Sequence, residues 1–216
     1  MYIPPPFAGP DRNALAAFLS RHPFATLITS RGGGLGISHV PLYLESQGGR
    51  DVLVGHLAKA NDHWKTLAGP GTAVFQGPHA YVSSAWYEAR NTVPTWNYAV
   101  VHAQGLISLT GPEELRGIID RMLAIHEPGS KPDLDEAVMA TLMSHIVGFK
   151  MDVTALEGKW KLSQNKSAET QEKIAAALER QSDPGAQAVA KMMRANLGGP
   201  KLGGPTLGGQ ILEAGS

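Results

Sequence analysis

Between Phe24 and Thr110 the chain consists of short apolar, β-branched segments separated by glycine-rich turns, and this pattern restricts the possible folds most strongly. The candidate strands are residues 24–29, 37–44, 51–56, 72–76, 80–82 and 96–110. Short strands joined by tight turns are typical of an antiparallel sheet. We therefore predict a mainly β fold with flanking helices (α+β), built around a small closed or half-closed barrel.

Helical patterns flank the predicted strands on both sides. Asp11 is a candidate N-cap for a first helix, and the other predicted helices cover 61–67, 113–125, 133–145 and 168–180, with a last one opening at Asp183-Pro184. The alternating run 146–154 predicts a strand that returns to the sheet. Leu-Gly-Gly triplets follow Leu197, and so much glycine disfavours ordering. We expect one domain over 1–195 and a flexible tail over 196–216.

The charge and residue content exclude several classes of function. The 216 residues carry 19 Lys+Arg and 19 Asp+Glu, a balance that argues against a strongly electrostatic nucleic-acid binder. There are no cysteines, which excludes disulfides, thiol catalysis and cysteine-ligated metal. No apolar run approaches the ~20 residues of a membrane helix, and the first residues do not resemble a signal peptide. We expect a cytoplasmic protein that has no metal site and no membrane partner.

Four segments have a composition that a plain barrel does not require. They combine aromatic rings with amides, hydroxyls and lysines, and they cover 38–41, 55–61, 75–98 (with a gap at 88–92) and 157–165. Rings can stack on a planar heteroaromatic group, amides and hydroxyls can hydrogen-bond its edges, and ammonium groups can bind a phosphate. This inventory predicts a site for such a ligand. Packing of the aromatic side chains in a dimer interface is the alternative.

These segments, together with Met1-Tyr2-Ile3-Pro4 and His22-Pro23-Phe24, resemble the PaiB family, described as FMN-binding negative transcriptional regulators. The longest matching motifs are Phe75–Tyr81 and Val93–Tyr98, and the resemblance covers 1–195. The chain departs from the family at Ser38, where threonine is usual, and at Ser84-Ala85, where Pro-Ser is usual. The resemblance implies a flavoprotein with an FMN-binding split β-barrel, paired as a homodimer with FMN in a groove at the subunit interface.

The resemblance also implies roles for individual residues. Lys59 follows the third predicted strand, where related split barrels place a basic residue on the FMN phosphate. Asn61 can cap the next helix, whose amide end favours an anion, and simple capping is the alternative. Ser38 and His39 point to opposite sides of a strand, so we assign Ser38 to the ligand and His39 to the second sheet or the interface. The other candidate FMN contacts are Tyr81, Ser83, Trp96, Asn97, Tyr98, Lys161, Ser163 and Gln164.

No recognisable DNA-reading element accompanies this predicted site. The connection 127–132 is longer than the turn of a helix-turn-helix, and the acidic residues that open the following helix would repel phosphate. DNA is therefore expected as a partner from the family description alone. Two alternatives to a regulator stay open: an FMN-dependent oxidoreductase that uses the same groove, and a haem-binding split barrel with a histidine as axial ligand.

Overall fold

The computed structural model describes residues 1–87, 91–129 and 134–197, and these residues form two units. The first comprises Met1, Pro10–Gly77 and Val100–Gly158, and the second comprises Tyr2–Gly9, Pro78–Ala99 and the residues from Lys159 onward. The strands are β1 (Phe24–Arg31), β2 (Gly34–Pro41), β3 (Tyr43–Gln47), β4 (Arg50–Ala58), β5 (Gly69–Val82), β6 (Thr95–Leu109) and β7 (Ile146–Lys161). The α-helices are α1 (Arg12–Arg21), α2 (Pro112–His126), α3 (Glu136–Ser144), α4 (Ala168–Glu179) and α5 (Pro184–Leu197).

The described strands form one seven-stranded sheet in the order β2-β1-β5-β6-β7-β4-β3. The pairs β1–β2, β1–β5, β3–β4 and β4–β7 are antiparallel. Because β2 and β3 lie at the two ends of this order, the sheet is not closed into a barrel. The prediction of a mainly β, antiparallel fold with flanking helices is confirmed. Of the two predicted barrel forms, closed and half-closed, the open sheet excludes the closed barrel.

The core of the first unit follows from the alternation of side chains along its strands. In β1, Ala25, Leu27 and Thr29 are buried, whereas the residues between them are more exposed. On β4, Val52 and Val54 pack against Ile118 of α2. β1 therefore presents one face to the core and leaves its other face more accessible, whereas β4 is buried on both faces over residues 52–55.

The second unit has its own core, in which α4 and α5 pack together. Ile174 and Leu178 of α4 lie against Val189 and Met193 of α5, with Leu162 in the same group. Both helices begin at side-chain caps. Ser167 Oγ accepts from the Thr170 amide at 3.2 Å, and the Asp183 carboxylate accepts from the amides of Gly185 and Ala186.

Two differences from the predicted strands have clear physical causes. The predicted strand 37–44 is split between β2 and β3 because Pro41 has no N–H group and the next amide, that of Leu42, donates to Pro23 O at 2.8 Å. The predicted strands 72–76 and 80–82 are one strand, β5, which continues through Pro78. Pro41 ends the edge strand β2, which confirms the prediction that it lies at a sheet edge.

Several predicted boundaries shift or lie outside the described residues. The predicted helix 61–67 is a 3-10 helix over Asp62–Thr66, and the predicted strand 146–154 is lengthened in β7. Residues 130–133, which are the second half of the connection 127–132 and the first residue of the predicted helix 133–145, lie outside the described residues, and α3 begins at Glu136. Of the tail predicted over 196–216, only its first two residues are described, and they end α5. Within the described ranges, no helix is long and apolar enough to cross a membrane.

Candidate functional site

A buried histidine, His63, holds a hydrogen-bonded group together in the first unit. Its side chain is 2% exposed, its Nε2 atom lies 2.8 Å from Thr29 Oγ1, and its Nδ1 atom lies 2.8 Å from Ser38 Oγ. A hydroxyl can donate or accept, so a neutral imidazole satisfies both contacts with one N–H and one lone pair. Burial lowers the pKa of His63, and the nearby positive charge of Arg31 lowers it further. The ring is therefore neutral at physiological pH.

The local fold brings these hydroxyls to the ring through the pairing of β1 with β2. Thr29 and Ser38 both lie on the buried face of this pair, with Thr29 opposite Gly36 and Ser38 opposite Leu27. A Cβ atom on Gly36 would lie only 2.4 Å from His63 Nε2. The glycine therefore leaves the space that the imidazole occupies.

Asn61 completes this group, which we call the His63 cluster (Thr29, Ser38, Asn61 and His63). Its Oδ1 atom accepts from the His63 amide at 3.1 Å, and its Nδ2 atom donates to Ser38 Oγ at 3.0 Å. The prediction that Asn61 caps a helix is confirmed. Ser38 and Asn61 were predicted as site residues. Thr29 and His63 were not predicted, because the pairing of β1 with β2 places Thr29 near Ser38 and the fold of the turn after β4 brings His63 to both hydroxyls.

Lys59 directly follows β4, the third of the predicted strands. Its amide donates to His145 O at 2.7 Å, and its carbonyl accepts from Trp64 Nε1 at 2.9 Å. The side chain is exposed, and its ammonium has no hydrogen-bond or ion-pair partner among the residues that the structure describes. The backbone of Lys59 is thus fixed at both polar groups, while its charge is available to an anion.

His39 and Ser38 lie on opposite faces of β2, as the alternation predicts. Ser38 is buried, whereas His39 is exposed and stacks on Phe24 with ring centroids 6.4 Å apart and planes at 24°. His39 belongs to an outer face of the first unit on which Phe24, Leu35 and Ile37 are all more than half exposed. A groove of about 530 Å³ opens beside this face, with Ile28, Leu35 and Leu106 in its lining.

In the second unit, Asn97 and Ser163 form a buried pair. Asn97 Nδ2 donates to Ser163 Oγ at 3.0 Å, and Ser163 Oγ lies 3.1 Å from Asn97 Oδ1, to which it can donate. Asn97 is fully buried, and Ser163 adopts a left-handed backbone conformation with φ 65°. The two predicted site residues are therefore brought together, and they hydrogen-bond to each other.

The side chains of Lys161 and Gln164, near the end of β7, form hydrogen bonds with nearby residues of the second unit. Lys161 Nζ donates to Trp96 O at 2.9 Å and to Thr95 Oγ1, and its pKa is lowered by burial and by the charge of Lys159. Gln164 accepts from the Leu162 amide at 2.7 Å and donates to Trp160 O at 2.6 Å. Both side chains therefore brace the local backbone.

The remaining predicted residues lie in the second unit, where Tyr81 and Trp96 form an exposed aromatic pair. Tyr81 and Trp96 are each about half exposed, with ring centroids 6.0 Å apart and planes at 72°. The Tyr98 ring lies 5.6 Å from the Lys159 ammonium, and Ser83 Oγ accepts from the Ala85 amide at 3.3 Å. The Tyr81–Trp96 pair offers exposed ring surface on which a planar group could stack.

The open antiparallel sheet with flanking helices places this protein in the class of split barrels. A family model described as “Putative FMN-binding domain” matches residues 1–155, and the chain belongs to that family. FMN is therefore confirmed as the expected cofactor. At the sequence level the chain is 32% identical over 204 residues to the “Protease synthase and sporulation protein PAI 2” of Bacillus subtilis, covering 91% of this chain and 98% of that protein. This relative confirms the resemblance to PaiB.

Solved structures with low sequence identity have the same fold. One is the FAD and haem binding protein from Mycobacterium smegmatis, with a TM-score of 0.57, 18% identity and coverage of 78% of both chains. Another is the flavocytochrome Anf3 from Azotobacter vinelandii, with a TM-score of 0.59, 15% identity and coverage of 76% of this chain and 74% of that one. At these identities the comparison concerns the fold alone.

Proposed function

We propose that this chain is a cytoplasmic, PaiB-type regulator of transcription that binds FMN as a homodimer. The observation that carries the proposal is the relationship to the Bacillus subtilis protein, which extends over 98% of that protein's length. The name of that relative connects it with protease synthase and sporulation. That connection favours a role in regulation over catalysis of a single reaction.

Lys59 is the residue that we assign to the FMN phosphate. Its ammonium has no partner within the described ranges, and charge-assisted hydrogen bonds to phosphate are stronger than neutral ones. The backbone of Lys59 is already bonded at its amide and its carbonyl, so binding orders little more than the side chain. FMN, when bound, supplies the redox chemistry, and the chain supplies its orientation and electrostatics.

The other predicted contacts fall into two groups. Tyr81 and Trp96 have exposed ring surface, and they are our candidates for stacking against a planar group. Asn97, Lys161, Ser163 and Gln164 already use their polar atoms within the second unit, so we propose that they act by holding that unit in shape. Ser38 has the corresponding role in the first unit, through the His63 cluster.

The outer face of the first unit supports the homodimer. Phe24 is 65% exposed, Leu35 66%, Ile37 54% and Leu106 56%. Contiguous exposed apolar surface on a sheet is typical of protein–protein contact sites. We propose that a second copy covers this face.

The proposed regulatory role is tested by DNA binding of the purified, FMN-loaded protein. We expect a salt-sensitive mobility shift of promoter DNA, and no steady oxidation of NADH or NADPH. Rapid NAD(P)H oxidation without any DNA shift would instead assign the same flavin to an oxidoreductase. A haem absorption band in place of flavin bands would contradict the assignment of FMN.

A further inference from the structure

We infer that His63 is a positioning residue for the FMN phosphate: its buried imidazole fixes the turn that carries Lys59. The inference rests on the proposed role of Lys59 as the phosphate contact. It concerns a residue with no exposed polar atom of its own to offer a ligand, since His63 is 2% exposed and both ring nitrogens are already bonded.

His63 links the turn after β4 to two other strands by hydrogen bonds. Its ring nitrogens bond Thr29 on β1 and Ser38 on β2, so this one side chain reaches both strands. Asn61 adds a second link, from the turn to Ser38 Oγ. The turn is therefore attached to the sheet through polar contacts in a buried setting, where such contacts are directional and an unpaired partner is unfavourable.

Residues close to His63 in the chain fix the backbone around Lys59 by hydrogen bonds. The indole of Trp64, the next residue in the chain, donates to Lys59 O at 2.9 Å. The Asn61 amide donates to Ala58 O at 2.9 Å, which closes the turn around Lys59. An imidazole fixed to β1 and β2 thus fixes the two neighbours that set the backbone of Lys59.

A backbone that is already fixed strengthens the contact between a lysine and a phosphate. A lysine ammonium is a flexible point charge, and its contact with a phosphate is weakened when both the backbone and the side chain must be ordered on binding. Loss of the His63 contacts should therefore weaken only the phosphate contribution to affinity. Ligand parts that do not touch Lys59 should be unaffected.

The experiment compares FMN with riboflavin, which has the same ring system but no phosphate. Dissociation constants of both are measured by flavin fluorescence for the wild-type protein, His63→Phe, Lys59→Ala and the double variant. Thr29→Val is a milder second variant, because it removes one hydroxyl from Nε2 without changing the ring. Thr110→Val is the matched control, because Thr110 Oγ1 is buried in the same unit without a hydrogen-bond partner among the described residues.

We expect His63→Phe to weaken FMN binding about tenfold and Thr29→Val about threefold, with riboflavin affinity changed by less than about twofold in both. We also expect His63→Phe to have no further effect on FMN in the Lys59→Ala background, and Thr110→Val to have no effect on either ligand.

Equal losses of FMN and riboflavin affinity in Thr29→Val, or additive losses in the double variant, would overturn the inference and assign the cluster to stability alone. If Lys59→Ala itself leaves FMN affinity unchanged, the proposed phosphate contact is wrong. That outcome is distinguishable, because it is read from the single Lys59 variant.

Discussion

At the scale of single residues, the chemistry of the His63 cluster depends on the imidazole staying neutral. A neutral ring has one N–H donor and one acceptor, and Thr29 Oγ1 and Ser38 Oγ can complement either tautomer. Protonation would give two N–H donors in a buried site and would also place a charge near Arg31. The cluster is thus compatible with a histidine that resists protonation, and this has consequences for the pH dependence of stability.

The pKa of His63 is lowered from its ordinary value of 6.5 by burial and by Arg31. A lowered pKa means that the unfolded chain binds this proton more readily than the folded protein does. The stabilising contribution is therefore complete above about pH 6.5 and is lost as the pH falls further. We expect the free energy of unfolding of the wild-type protein to exceed that of His63→Phe by less at about pH 5 than at about pH 8.

Urea unfolding at the two pH values measures this difference. His22, His56 and His102 also have lowered pKa values, so both proteins should lose stability in acid. The comparison with His63→Phe isolates the contribution of one ring. A stability difference that stays constant across the range would contradict the neutral imidazole.

Gly36 is predicted to be the glycine of β2 that tolerates substitution least. In Gly36→Ala the new Cβ would lie 2.4 Å from His63 Nε2 and 3.2 Å from Thr29 Oγ1, so the ring must move. We expect a loss of about 1–3 kcal/mol in the free energy of unfolding. Gly34→Ala is the control in the same strand, because the nearest atom would be Arg31 O at 3.7 Å, and we expect a change within about 0.5 kcal/mol. Equal effects of the two variants in urea unfolding would contradict this account.

Lys59 and Lys65 provide a matched pair of lysines near the same turn. Lys59 has no ion-pair partner in the described chain, whereas Lys65 is paired with Asp62 at 2.6 Å on the surface. We expect Lys59→Ala to weaken FMN binding by about 1.5–3 kcal/mol, the range for loss of a hydrogen bond to a charged group. Lys65→Ala should change it by less than about 0.5 kcal/mol. Isothermal titration with FMN measures both, and similar losses would point to a diffuse electrostatic effect.

At the scale of elements, much of the secondary structure could be predicted from local pattern. Alternation and turn residues predicted β1, β4 and β6, and Asp11 caps α1 as expected, accepting from the Ala14 amide at 3.0 Å. The break between β2 and β3 was missed, although Pro41 carried the signal for it. The conformation of Ser163 had no such signal, because a left-handed serine depends on the long-range contact with Asn97.

Two substitutions at Ser163 separate the effect of its side-chain bonds to Asn97 from the effect of its left-handed backbone. Ser163→Ala removes the bonds to Asn97 and keeps a side chain at φ 65°, so we expect a loss of about 1–3 kcal/mol. Ser163→Gly loses the same bonds but relieves the backbone, so it should be roughly 1 kcal/mol more stable than the alanine variant. Thermal unfolding of the two proteins gives the order, and a less stable glycine variant would contradict it.

At the scale of the whole molecule, the family and the cofactor followed from motifs, but the contacts of the site did not. Ser38 and Asn61 were predicted as FMN contacts and the structure brings them together, whereas His63, which bonds Ser38, was not among the predicted site residues. The pairing of β1 with β2 and the fold of the turn after β4 together bring residues 29, 38 and 63 into contact. The same holds for Asn97 and Ser163, which are 66 positions apart.

The outer face of the first unit leads to a prediction about assembly. Ile37→Glu places a carboxylate in the middle of the exposed apolar residues, and burying it against a second copy would be unfavourable. We expect this variant to be monomeric in analytical ultracentrifugation while the wild-type protein is a dimer. Ser20→Glu, at an exposed position of helix α1 and not on the sheet face, is the control and should remain dimeric. A monomeric wild-type protein would contradict the proposed assembly.

The central claim, that this chain binds FMN, is tested most directly by titrating the flavin-free, purified protein with FMN and following flavin fluorescence. The account predicts saturable binding of one FMN per chain, with a lower affinity for riboflavin because it lacks the phosphate that Lys59 would contact. A protein that leaves FMN fluorescence unchanged at all concentrations would contradict the claim. Equal affinities for riboflavin and FMN would contradict the proposed contact of Lys59 with the phosphate.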